Sequence, residues 1–77
     1  MSKYHGYIWE RSVASAIKAA DFIESHYETD EAEVVNFSHA SEDRVFVYYV
    51  AKSQNSANQI AAEWRRIQKG TSTRFPA

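Results

Sequence analysis

Read for its alternation of apolar and polar positions, the chain divides into five segments. The clearest is Arg44-Val45-Phe46-Val47-Tyr48-Tyr49-Val50-Ala51-Lys52, seven apolar or aromatic residues between two cations, with no Gly or Pro. β-Branched and aromatic side chains suit a pleated, buried surface, so this stretch predicts a central β-strand. Ahead of it, Glu33 to Ala40 carries Val34, Val35 and Phe37 and predicts a second strand. Ser41-Glu42-Asp43 is the polar turn between the two. Near the N-terminus, Lys3 to Trp9 predicts a first, aromatic-rich strand interrupted by Gly6. Between these strands Val13, Ala16, Ile17, Ala20, Ile23 and Tyr27 recur at three- and four-residue spacing. That stripe predicts a helix from an N-cap at Ser12 to about Glu28. Ala57, Ile60, Ala61, Trp64 and Ile67 predict a last helix, with Ser56 and Gln59 as a capping box and Gly70 as its stop. Residues 71–77 either add a short edge strand or fray, and Pro76 confines any such strand to an edge.

The element order is therefore β-α-β-β-α, with or without a short terminal strand. Two helices with one apolar stripe each suit an α+β two-layer sandwich, both helices on one face of a small antiparallel sheet, in a single domain over 1–77. In element order this resembles the ferredoxin-like split β-α-β plan, a likeness of fold that carries no function. The hairpin register decides which side chains are buried. With a turn centred on Glu42, Val35, Phe37, Val45, Val47 and Tyr49 share the core face. Asn36, Ser38, Arg44, Phe46, Tyr48 and Lys52 then share an open one. A two-residue turn at Glu42-Asp43 swaps the faces of the central strand and buries Phe46, Tyr48 and Val50. The first register is favoured because it groups Arg44 and Lys52 with Asn36 and Ser38 on the solvent side.

Length and charge narrow the classes. At 77 residues the chain sits near the lower limit for folding on a hydrophobic core alone. It has no cysteine for a disulfide or a thiolate metal site. It also lacks an apolar leader near Met1 and any apolar run near the ~20 residues of a membrane helix. A cytoplasmic protein without a membrane partner is expected. His5, His26 and His39 are widely spaced, so no metal or other cofactor is expected, and His26 with Glu28, Asp30 and Glu31 reads as an ordinary surface histidine beside carboxylates. With only Gly6 and Gly70 there is no phosphate-cradling loop, and no Gly-x-Ser-x-Gly occurs. So small a domain leaves little volume for a pocket of ~300 Å³. No enzyme is expected.

Binding surfaces remain. The net charge of −1 hides a separation: residues 1–43 carry three Lys/Arg against nine Asp/Glu, residues 44–77 six against one. Asp21, Glu24, Glu28, Asp30, Glu31 and Glu33 follow one another with no cation between them. Their plain reading is a solvated acidic turn. The functional reading is a partner-binding surface for a protein with a basic face, anchored by an exposed Phe22 and aided by Tyr4, Tyr7 and Trp9. Phe22 lies off the helix stripe, so it either packs under a neighbour or anchors a partner. In size and composition the chain is similar to small phage-type inhibitors of host defence, anti-CRISPR proteins among them. That likeness implies a small inhibitor or adaptor occupying a nucleic-acid-binding surface of its target. The alternative is single-stranded nucleic acid. Phe46 and Tyr48, flanked by Arg44 and Lys52, resemble the open sheet faces that stack unpaired bases. Arg65, Arg66, Lys69 and Arg74 would add phosphate contacts, although Arg65, Arg66 and Lys69 also complement the dipole at a helix C-terminus. The glycine-aromatic signature of RNA-recognition motifs is missing, and the pI near 6.3 is low for a non-specific binder. A third use of the same face is a homodimer burying Phe46 and Tyr48 of both copies.

Overall fold

The computed structural model describes residues 3–69 of the chain. It contains β1 (Tyr4–Glu10), α1 (Val13–His26), β2 (Ala32–Ser41), β3 (Arg44–Ala51) and α2 (Gln54–Lys69). The strands form one sheet in the order β1-β3-β2, with β3 antiparallel to both neighbours. Both helices pack on the same face, giving the expected α+β sandwich. Gly70 and the suggested terminal strand lie outside the described residues.

The hairpin resolves the register in an unforeseen way. Ser41 pairs with Arg44, so the turn is the two-residue Glu42-Asp43 form. A bulge at Ala40 then inserts one residue, and His39 pairs with Val45 and Phe37 with Val47. The core face of β3 is thus Val45, Val47 and Tyr49, as expected of the other turn. A second bulge at Val35 changes β2: Val34 pairs with Tyr49 in place of the expected Val35. Val35 is turned out, 51% exposed, and Phe37 at the sheet edge is 45% exposed. Neither is the core residue the alternation predicted.

Helix α1 is capped as expected, Ser15 N–H donating to Ser12 Oγ at 3.2 Å. Its buried residues are Ala16, Ala19, Ala20, Phe22 and Ile23, while Val13 and Ile17 are half exposed. Relative to the predicted stripe, the helix is rotated by roughly 60°, at 100° per residue. The cause is Phe22. Its ring is fully buried, with centroids 5.5 Å from Trp64 and 4.9 Å from His26, so burying the largest apolar side chain outweighs Val13 and Ile17. Phe22 therefore does not serve as an exposed partner anchor.

Helix α2 keeps its predicted stripe, with Ala57, Ile60, Trp64 and Ile67 buried. Its N-cap is Ser53 rather than Ser56: Ser56 N–H donates to Ser53 Oγ at 3.0 Å. Gly6 has a specific reason. It pairs with Tyr49, and a Cβ added there would lie 2.6 Å from the Tyr49 ring. The ring lies over the glycine, and its hydroxyl donates to the Ala57 carbonyl at 2.6 Å, tying β1, β3 and α2 together. Among the described residues no helix is long and apolar enough to cross a membrane.

Candidate functional site

The face of the sheet away from the helices carries what the core does not use. Antiparallel pairing puts directly opposed residues on the same side. Tyr7 pairs with Tyr48 and Trp9 with Phe46, so four aromatic rings from the two adjacent strands share the open face. Three of the rings touch one another: Tyr7 meets Phe46 edge-on at 5.7 Å between centroids and Tyr48 at 6.4 Å, and Phe46 stacks on Tyr48 at 6.0 Å. The face is also accessible, with Tyr7 57% and Trp9 40% exposed and Phe46 and Tyr48 half-buried. The guanidinium of Arg44 lies 5.0 Å from the Trp9 ring centroid and that of Arg11 5.7 Å, both within cation–π range. On the far side of β3, Asn36 pairs with Tyr48 and Ser38 with Phe46, adding hydrogen-bonding groups beside the rings.

The chemistry available is recognition by flat surfaces. Ring faces stack on other planar groups, and the two guanidinium groups at one end can meet anionic oxygens. Phe46, Tyr48 and Arg44 were legible as candidates. Tyr7, Trp9 and Arg11 were not assigned to this face, although Tyr7 and Trp9 have the same i, i+2 spacing as Phe46 and Tyr48. What the sequence lacked was the strand order that sets the two pairs side by side.

The remaining cations are elsewhere. Lys52, just past β3, is ion-paired with Glu31 at 4.0 Å. Arg65 and Arg66 stand on α2 in the helical layer, Arg66 being 3.4 Å from Glu63. They cannot share a flat surface with Phe46 and Tyr48, because the sheet lies between. Lys69 ends α2, and Arg74 lies outside the described residues.

The acidic residues divide as well. Glu28 and Asp30 are exposed after α1, and Glu31 pairs with Lys52 at the surface while its Oε1 accepts from the Glu28 N–H at 3.4 Å. Glu33 pairs with Val50 and so belongs to the open face of β2. Asp21 and Glu24 line a groove between α1 and β2 with Ile17, Val35 and Phe37. Among the described residues no three His, Asp or Glu side chains gather as a metal site would require.

A second concavity lies where β1 meets α2. It is a cleft of about 360 Å³, more volume than the length of the chain led one to expect. Its wall includes Glu10, the one charged residue buried among those described, at 8% exposure. Its carboxylate accepts from Trp64 Nε1 and from Gln68 Nε2, each at 2.8 Å. No sequence pattern marks Glu10.

No protein-family model, curated protein or solved structure matches this chain.

Proposed function

We propose that the protein is a non-catalytic binding protein that holds single-stranded nucleic acid on its open sheet face. The observation that carries this reading is the pairing of Tyr7 with Tyr48 and Trp9 with Phe46, which assembles four accessible rings beside Arg44 and Arg11. Rings on two neighbouring strands of an open sheet suit successive unstacked bases, since every base has a π face. The two arginines would take backbone phosphates. With two such contacts the dependence on salt is modest, a log–log slope of about −1.4 at about −0.7 per phosphate. Duplex, whose bases stay stacked inside the helix, should bind far more weakly.

Titrating a labelled single-stranded oligonucleotide tests it. Tyr7→Ala and Tyr48→Ala should each weaken binding about tenfold, within the ~1–3 kcal/mol that a stacked base contributes. Both variants should melt close to the wild type. Wild-type protein that fails to bind single strands, and instead sediments as a dimer, would transfer the face to self-association.

The groove at α1 and β2 favours a second reading. There Asp21 and Glu24 flank Ile17, Val35 and Phe37, each about half exposed, in a combination suited to a basic, apolar segment of a protein partner. It retains the inhibitor or adaptor role without Phe22. In the same titration, Asp21→Lys with Glu24→Lys should leave oligonucleotide binding unchanged. If those charges also control oligonucleotide binding, the groove is not a separate surface.

A further inference from the structure

The buried Glu10 carboxylate is more than the core requires. Glu10 pairs with Val45, which turns its side chain toward the helices, and both donors that reach it, Trp64 Nε1 and Gln68 Nε2, are neutral. Among the described residues no ion pair compensates its charge. A neutral acceptor would satisfy the Trp64 N–H at a lower desolvation cost. A carboxylate accepts only, and with one bond to each oxygen it keeps a further acceptor position on both. Glu10 is one of the residues lining the cleft, together with Trp9, Arg11, Ser15 and Arg65. The volume of about 360 Å³ falls within the range of roughly 300–1,000 Å³ typical of small-ligand sites.

Trp9 and Arg11 connect the cleft to the aromatic platform. Trp9 pairs with Phe46 on the open face and also lines the cleft, and Arg11 lines the cleft while lying against the Trp9 ring. A strand lying across the rings would therefore reach the cleft at the β1 edge. The complementary ligand presents paired N–H donors to Glu10 and an anion to Arg11 and Arg65. Guanine is the base with that edge, its ring N1–H and exocyclic amino group donating side by side to the two oxygens of one carboxylate. Adenine and cytosine set a ring-nitrogen lone pair beside their amino group, and uracil flanks its N–H with two carbonyl oxygens. Each of these places an acceptor against an acceptor-only group.

We infer that the Glu10 cleft is a guanine-selecting pocket at the end of the aromatic platform. The inference rests on the nucleic-acid reading and adds base selectivity to it. Short oligouridine and the same strand carrying one guanine, hypoxanthine or adenine are titrated into the full chain and into its Glu10→Gln variant. The guanine strand should bind the wild type about tenfold more tightly than oligouridine, as a bidentate base contact confers. Hypoxanthine, lacking the amino group, should recover only part of that gain, and adenine none. Glu10→Gln retains an acceptor for Trp64 and should bind all four strands within about twofold of one another, with affinity for oligouridine unchanged. Equal wild-type affinities for the strands, or a guanine preference that survives Glu10→Gln, overturns the pocket and leaves the platform standing. The wild-type chain is also titrated with guanosine and adenosine monophosphates while the Trp64 indole N–H resonance is followed. This decides the matter should the variant not fold: a shift with the guanine nucleotide alone supports the pocket, and no shift overturns it. Failure to bind any strand, with that shift present, removes the platform and keeps the pocket.

Discussion

The two faces of the sheet are built from one strand and obey opposite rules. On the covered face β3 presents Val45, Val47 and Tyr49, which with Phe22, Ile23 and Ile60 form a packed core. On the open face it presents Phe46 and Tyr48, equally apolar in type, against Tyr7 and Trp9 and with no layer above them among the described residues. Hydrophobicity alone does not distinguish the two sets. The difference is coverage, and coverage depends on where the helices dock. Aromatic area left exposed beside cations and amides is the pattern of a surface used for contact rather than for stability.

Truncation of one phenylalanine from each region gives the sharpest test. Phe22→Ala should cost about 3–5 kcal/mol in urea unfolding, the usual loss for a fully buried aromatic. Phe46→Ala should cost about 1 kcal/mol or less, the worth of a cross-strand pair on an accessible face. Equal costs would mean that the open face is core in solution, as it would be in a dimer.

The same division governs how much could be read in advance. All five elements were legible, because each depends on local alternation or spacing. The open status of Phe46 and Tyr48 was reached through a turn that does not occur, and the bulge at Ala40 restored the outcome. A bulge is one extra residue in a ladder and leaves no mark in the periodicity when, as with Ala40 and Val35, the inserted side chain is itself apolar. The orientation of α1 was missed for a related reason. Spacing counts apolar positions equally, whereas Phe22 has more area to bury than Val13 or Ile17. The site was half legible: β3 supplied its two rings, but Tyr7 and Trp9 join them only through the order β1-β3-β2. Pairing between segments about forty residues apart is invisible to local pattern.

Gly6 offers a second, smaller test of what holds β1 against the covered face. Gly6→Ala should destabilise by about 1–3 kcal/mol, as overpacking does, because the new methyl meets the Tyr49 ring rather than the end of a flexible chain. In a Tyr49→Leu background the same substitution should cost clearly less. A double-mutant cycle measures that coupling, and additivity would show that the ring does not constrain position 6.

The smallest effect expected near neutral pH tests the covered face by titration. Burial pushes the Tyr49 phenol up from 10.0 to about 12, because its charged form would be desolvated. In the unfolded chain the same phenol loses its proton near 10. Between these values the folded state holds the proton that the unfolded state has released, so stability falls as pH rises. The contribution is complete below about pH 10 and is lost progressively as pH rises toward and through about 12. Tyr49→Phe removes this titration together with the hydroxyl's bond to the Ala57 carbonyl, worth about 1 kcal/mol at neutral pH. Stability curves of wild type and variant should therefore run parallel up to about pH 10 and converge above it. Parallel curves for Tyr49→Phe up to pH 12 would mean that its hydroxyl meets water, and that the covered face is less closed than the Gly6–Tyr49–Ala57 contacts imply.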